Sequence, residues 1–320
     1  MPKPKKTLEE KLEDQIKIMA DKSGKHIIGN LESNGLGLMQ SDLAYDPHTL
    51  LKLAYLNYYL GVFLPIAGYR KDKGKFDKIV FIDAFGGSGI VGIKNSRYSV
   101  LGSTLLAATA NARGRVFDEV ISIDIDNARS DILDKRCKSL GLTNVSVLRG
   151  DVNNLIQSVS ATFNISSNSI VMLFIDPEGM EPEFSKFLAL SDTTHYLDIM
   201  LNYTFGVRRL NGRIEYNHAS ADIQKMKSMI PTWVPGTDPD ERLAYFFESQ
   251  FGKPKSRETK IHSKGQKEEY SVILRVRETW GNSSWLDAMN DFGDFVSQID
   301  GDRALTSLRV IMGDQARLFP

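Results

Sequence analysis

The stretch Lys78-Ile-Val-Phe-Ile-Asp83-Ala-Phe-Gly-Gly-Ser-Gly89 constrains this chain more than any other, because a run of four apolar residues ends on a carboxylate and then on three glycines. Apolar residues at consecutive positions, Ile79 to Ile82, describe a parallel strand covered on both faces by helices. Gly86, Gly87 and Gly89 let the turn tighten and let a ligand approach the backbone, since no Cβ intervenes. A nucleotide-type site of an open α/β sheet begins in this way.

Three nucleotide chemistries use such a loop. A P-loop places lysine directly after its second glycine, and Ile93 stands there instead, which disfavours ATP hydrolysis. A dinucleotide fold wants Gly-x-Gly-x-x-Gly, and Gly87-Ser-Gly89-Ile-Val-Gly92 fits literally, so spacing alone leaves NAD in play. The Asp-x-Phe-x-Gly-Ser-Gly series around Asp83 and Phe85 resembles motif I of class I S-adenosylmethionine-dependent methyltransferases. An anionic residue at that point suits a ligand with a cationic sulfonium and ammonium better than a pyrophosphate.

The later strand ends agree in order. Glu119 to Asp124 reads as a second strand whose terminal carboxylate accepts hydrogen bonds from both hydroxyls of a ribose, with Asp126 as second choice. Asp124 lies 35 residues after Gly89, longer than the ~20 of a dinucleotide fold, so Ile90 to Ser103 is read as an insertion. Val145 to Arg149 is a third strand closing on Asp151, an acceptor for an adenine amino group, and Ile170 to Ile175 a fourth, leaving the sheet at Asp176-Pro177. Any one such aspartate is explained by turn and cap preference. Four in succession at strand ends point to the crevice where α/β sheets bind ligands.

A more particular likeness joins His48-Thr-Leu-Leu-Lys52 on a helix, Asp83 to Gly89, Gly102-Ser103, Phe174-Ile-Asp-Pro-Glu-Gly179 and Leu201-Asn202 with Arg208 and Arg209. Together they resemble the three-Cys-motif partner (TcmP) family from about residue 45 to 290. The resemblance implies a Rossmann-like class I methyltransferase fold: a mostly parallel sheet with helices on both faces, N-terminal helices and a helical insertion before the last strands. It also implies a prokaryotic or phage setting and a partner protein that carries the three cysteines. Two positions depart from the family pattern. Gly86 stands where alanine is usual, a swap expected to be tolerable, and Glu178 stands where an aromatic is usual.

On this reading Asp83, Phe85, Gly87, Ser88, Gly89, Asp124, Asp151 and Asp176 hold S-adenosylmethionine. Asp176 is also the catalytic candidate, and His48, Lys52, Asn202, Arg208 and Arg209 border the acceptor. The expected division is an N-terminal helix and linker (1–45), a methyltransferase core (46–210), a helical and basic insertion (211–267), and C-terminal strands with a helix (268–320). The competing readings are a cofactor-sensing partner module without catalysis and an NAD(P)-dependent oxidoreductase.

With 320 residues, 42% of them hydrophobic, the chain can bury a full core. Forty basic and forty acidic residues cancel, so any contact with nucleic acid must be local. The local candidate for RNA or DNA is the basic run Lys253 to Lys267, with Lys3, Lys5 and Lys6 as a basic tail. Cys137 is the single cysteine and is expected on a buried helical face. The apolar stretch Tyr55 to Gly68 is too short to cross a membrane and no hydrophobic signal core follows the N-terminus, so a cytoplasmic setting with no metal site is expected. Elsewhere the expectations are a helix from Thr7 to about 22 opened by a Thr7/Glu10 capping box, a polar link from Gly24 to Gly37, and a helix from His48 to about Leu60 after the Asp46-Pro47 start. His48 and Lys52 then share a face. A fifth strand at 196–204, helices from Arg213 to Gly252 broken at Pro231 and Pro235–Pro239, and a late antiparallel strand at 270–278 complete the reading.

Overall fold

A computed structural model describes residues 6–22, 26–39, 42–266, 268–276 and 284–314. The chain runs through α1 (Leu8–Met19), α2 (Ile27–Ser33), β1 (Ala44–Tyr45), α3 (Thr49–Asp72), β2 (Lys78–Asp83), β3 (Ile90–Ile93), β4 (Ser99–Leu101) and α4 (Ser103–Thr109). It continues with β5 (Glu119–Asp124), α5 (Asn127–Ser139), β6 (Val145–Arg149), α6 (Val152–Thr162), β7 (Ser169–Ile175), α7 (Phe184–Thr193) and β8 (Leu197–Thr204). The last part holds α8 (Phe205–Asn217), α9 (Ser220–Met229), α10 (Pro239–Ser249), β9 (Lys255–His262), β10 (Glu268–Val276), α11 (Ser284–Val296) and α12 (Gly301–Met312).

Seven strands form one sheet in the order β6-β5-β2-β7-β8-β10-β9. The five strands from β6 to β8 pair in parallel, and β10 is antiparallel to both β8 and β9. Within the buried strands the side chains alternate between two apolar cores: Ile79, Phe81, Ile170, Met172 and Phe174 face one, while Val80, Ile82, Val171, Leu173 and Ile175 face the other. Helices α1, α2, α3, α4, α5, α11 and α12 cover the first face and α6 to α10 the second. Continuous apolar strands are what two covered faces require. The fold is therefore a mixed α/β, mostly parallel, Rossmann-like sheet flanked by helices, as expected. Its strand order reverses between β2 and β7, which places a ligand crevice at their carboxyl ends.

Several expected boundaries move. The capping box at Thr7 and Glu10 forms with both bonds in place, 3.2 and 2.8 Å, and Leu12, Ile16 and Met19 are buried as one stripe. The polar link from Gly24 to Gly37 contains helix α2, whose Ile27, Ile28 and Leu31 find a place in the core. Helix α3 continues to Asp72 past Pro65 instead of stopping near Leu60. Among the described residues α3 alone is long and apolar enough to cross a membrane, but 72% of its apolar window is buried in the core, against α1, α11 and α12 among others. Within the basic run, residues 255–262 form strand β9, an edge of the main sheet, and helices α9 and α10 precede it. Lys253 is buried and donates to the His195 carbonyl, Arg257 pairs with Asp294, and Lys264 lies 3.5 Å from Asp302. Lys267, Lys3, Lys5 and the expected strand end at 277–278 lie outside the described residues. Cys137 is buried on α5, and burial pushes its thiol up to about 12.

The insertion expected at Ile90–Ser103 is a β-hairpin, β3–β4, to which β1 adds in parallel. The chain leaves the glycine loop at Gly89 and returns beside it, where the Gly102 N–H donates to the Gly89 carbonyl at 2.8 Å. Leu36, Gly37 and Asp42 are fixed to this region by Arg136 of α5. Its Nε donates to Leu36 O, its Nη1 to Ser88 O and Asp42 Oδ1, and its Nη2 to Gly37 O and Asp42 Oδ2, so all five N–H groups have acceptors. Both side chains of the Arg136–Asp42 pair are fully buried. Burial pushes the Asp42 carboxyl up, but hydrogen bonds from Arg136, Ser88 and the Met39 N–H outweigh it and hold the group below its ordinary value.

Removing one partner of such a pair leaves an uncompensated buried charge. Arg136→Met should cost about 3–5 kcal/mol in urea denaturation, and Arg136→Met with Asp42→Leu should recover most of that loss. Equal destabilisation of the single and double variants would show that the pair is not what fixes this segment.

Candidate functional site

A cavity of about 750 Å³ opens at the carboxyl ends of β2, β5, β7 and β8, where the topology placed the crevice. That volume is within the ~300–1,000 Å³ of small-molecule sites. Among the expected residues, His48, Lys52, Phe85, Gly87, Ser88, Gly89, Asp124, Asp176, Asn202 and Arg209 line it. Asp83, Asp151 and Arg208 do not.

The glycine loop is held from two sides. The Gly87 N–H donates to Asp124 Oδ2 at 2.8 Å, and the Asp126 N–H donates to Asp124 Oδ1 at 2.8 Å. Gly87 has φ +60° with nothing within 4 Å of an added Cβ, so its bare backbone faces open space in the cavity. Gly86 is tighter than the resemblance implied. A Cβ there would lie 1.8 Å from Ser122 Oγ and 2.9 Å from Thr104 Oγ1, so alanine would force the Ser122 hydroxyl to move.

Asp83 supports the loop from beneath instead of reaching a ligand. It is fully buried, and its Oδ2 accepts from Thr104 Oγ1 at 2.7 Å in the first turn of α4. Its Oδ1 has no partner. Burial, with the Asp176 charge adding, pushes the Asp83 carboxyl up to about 6, against hydrogen bonds from Ser103, Thr104 and the Phe85 N–H. Asp151 is the N-cap of α6, its Oδ1 accepting from the Asn153 N–H at 2.9 Å, and it is away from the cavity wall. Asp126 caps α5 in the same manner. These two carboxylates have the ordinary cap role that turn preference anticipates.

On the opposite rim Asp176 is the hub. Lys52 Nζ lies 2.8 and 2.6 Å from its two oxygens, and Asn202 Nδ2 donates to Oδ1 at 2.7 Å. Lys52 is 7% exposed, so the helix face it shares with His48 is not a solvated one. The lysine stands 5.4 Å from the Tyr270 ring centre, and His48 meets the same ring edge-on. Burial holds the His48 imidazole below its ordinary value, which keeps it neutral at pH 7. Strand pairing explains the grouping: Thr204 faces Tyr270 and Asn202 faces Val272, so all four share one side of the sheet. Asn202 Oδ1 and Thr204 Oγ1 are buried without partners. Arg208 is a salt-bridge partner of Asp240, and Arg213 of Asp222, while Arg209 lines the cavity.

Sequence reasoning passed over Tyr45, Ile125, Arg129 and Tyr270, all on the wall, and it noted Glu178 only as a departure from the family pattern. Ile125 had a legible signal, an apolar residue directly after the strand-end carboxylate, and it is 72% exposed. Overall the wall carries seven carboxylates (Asp46, Asp124, Asp126, Asp176, Glu178, Glu181, Glu269) against three cations (Lys52, Arg129, Arg209). Among the described residues no cluster suited to a metal ion occurs.

No protein-family model matches this sequence, and no curated protein does. Solved structures of similar layout include an O-methyltransferase from Bacillus cereus in complex with SAH, 16% identical over 87% of this chain and 94% of that one, TM-score 0.39. Trm1 from Pyrococcus horikoshii with S-adenosyl-L-methionine is 10% identical over 79% of this chain and 58% of that one, TM-score 0.40. TYW2 from M. jannaschii in complex with AdoMet is 14% identical over 65% and 74%, TM-score 0.34. Superpositions this loose transfer no residue role to the present chain.

Because the folded-state value of Asp83 lies above its ordinary 3.8, the proton on it stabilises the fold below about pH 4, and that contribution is lost as pH rises toward about 6. Denaturation midpoints of the wild type relative to Asp83→Asn should therefore fall between these limits, by up to about 1.4 kcal/mol per pH unit, and stay flat above them. A flat difference throughout would mean that Asp83 is already ionised at pH 4. Separately, Gly86→Ala should destabilise the fold, and adding Ser122→Ala should restore part of the loss by removing the hydroxyl it strikes.

Proposed function

We propose that this chain binds S-adenosylmethionine in the crevice between β2, β5 and β7 and transfers its methyl group to an acceptor held near Asp176. The observation that carries the reading is the bond from the Gly87 N–H to Asp124, which joins the glycine loop to a ribose-type carboxylate at the switch point of the sheet. Two further facts favour it over a dinucleotide. In a dinucleotide fold the pyrophosphate sits at the start of the helix after the glycine loop. Here the buried Asp83 carboxylate, bonded by the Thr104 hydroxyl, lies beneath that helix's first turn, and seven wall carboxylates against three cations repel a phosphate.

The bound cofactor would supply a methyl group on a sulfonium, and the wall fits it in parts. Gly87, Ser88 and Gly89 leave bare backbone for the amino-acid portion, Asp124 has lone pairs left for ribose hydroxyls, and Ile125 offers an apolar face to a base. Asp176 is occupied by Lys52 and Asn202, so orienting an acceptor N–H or O–H suits it better than taking up a proton. The chain's contribution is then mostly positioning. Within the basic run Lys253 and Arg257 are tied into the fold, while Lys255, Lys260 and Lys264 are exposed on the edge of the sheet and would be the groups that meet an RNA or DNA acceptor.

Isothermal titration with S-adenosylmethionine, its demethylated product, NAD and ATP tests the reading. Binding of both adenosyl compounds is expected, and binding of NAD alone would overturn it. Asp124→Ala should weaken cofactor binding by about 1.5–3 kcal/mol. Asp176→Asn should leave affinity within a few-fold and slow turnover roughly a hundredfold, measured as labelled methyl incorporated into RNA, DNA and protein extracts. Tight cofactor binding with no labelled product would favour the sensing module.

A further inference from the structure

Glu178 of the Asp-Pro-Glu-Gly turn has a charged side chain on the cavity wall for which methyl transfer gives no account. Its carboxylate reaches across the mouth of the cavity. Oε1 lies 3.2 Å from Arg129 Nη1 in the first turn of α5, and accepts at 3.5 Å from the hydroxyl of Tyr45 on β1. The three residues come from three separate rims: the turn after β7, the helix after β5, and the strand that joins the β3–β4 hairpin. All three line the cavity together with Gly87 and Asp124. We infer that Glu178 is a latch that ties these rims together over the cofactor cleft and sets the rate at which an adenosyl ligand enters and leaves. This rests on the adenosyl-binding reading given above.

The two ends of the Tyr45 segment are held unequally. At Asp42 it is clamped by the fully buried Arg136, while three residues later Tyr45 meets the far rim through a glutamate that is 61% exposed. An exposed ion pair contributes little stability and weakens as salt rises. The backbone at that end is also held by β3, the Gly92 N–H donating to the Leu43 carbonyl and the Lys94 N–H to the Tyr45 carbonyl, so the side-chain contact to Glu178 is the part that yields first. Burial, and after it the Glu178 carboxylate, pushes the Tyr45 hydroxyl up to about 12, so it remains a donor throughout the physiological range. Arg129 also lies 3.5 Å from Asp126, which keeps it in place when Glu178 lets go.

Two measurements on the full chain with Glu178→Gln test the latch. The first needs no ligand: the Lys94 N–H donates to the Tyr45 carbonyl at 2.9 Å, so its hydrogen exchange reports movement of β1 away from the hairpin. Loss of one exposed pair should speed that exchange roughly two- to fivefold while the denaturation midpoint stays put. The second is stopped-flow binding of S-adenosylhomocysteine. Association and dissociation should both accelerate, with the equilibrium constant within about twofold, and added salt should speed exchange in the wild type more than in the variant. Faster dissociation at an unchanged association rate would make Glu178 an ordinary ligand contact and overturn the proposal. Unchanged Lys94 exchange would overturn it as well. If the wild type binds no adenosyl compound while Lys94 exchange still rises, the latch stands and the cofactor reading falls.

Discussion

The glycine loop keeps its shape because a guanidinium is buried beside it. Arg136 points from the last turn of α5 into a site with no solvent, where Asp42, two carbonyls of the 36–37 turn and the Ser88 carbonyl consume all five of its N–H groups. A charge in that position is tolerable only because every donor is matched. The consequence is geometric. A segment remote in sequence, the loop that faces the ligand and the helix that follows the ribose-type carboxylate are referred to one rigid group.

Around that fixed point the three strand-end carboxylates are each accommodated by a different means. Asp83 is buried, with one oxygen unpaired, in the environment that favours the protonated form. Asp124 receives two backbone N–H bonds, and Asp176 receives a lysine and an amide. Placing three aspartates at neighbouring strand ends would otherwise be costly through mutual repulsion. The different environments also separate their roles, with Asp83 shaping the loop, Asp124 facing the ribose side and Asp176 facing the acceptor side.

The β3–β4 hairpin shows how an insertion can leave a site intact and still modify it. Since the chain returns to Gly89 at Gly102, α4 begins where a direct connection would have placed it, and its Ser103 and Thr104 hydroxyls still serve Asp83. The excursion lies over the cavity and recruits β1, which brings Tyr45 to the mouth.

The apolar runs at 79–82 and 170–175 by themselves determined a parallel sheet covered on both faces, because only such strands bury every position. The glycines and aspartates that end them fixed where a ligand goes, since tight turns and strand-end carboxylates are local properties. The helix at 27–33 was hidden because its seven residues have too few turns to show a period, and it is held by packing of Ile27, Ile28 and Leu31. Strand β9 was hidden because an edge strand with charged residues looks like a surface loop until its partner is known. Which aspartates reach the cavity was likewise undecidable, as Asp83 and Asp151 have the same local pattern as Asp124 and Asp176. Tertiary structure alone decided that Lys52 meets Asp176 across 124 residues and Arg136 meets Asp42 across 94, because a buried charge is matched by whatever the fold brings within hydrogen-bond reach, and sequence spacing has no bearing on that.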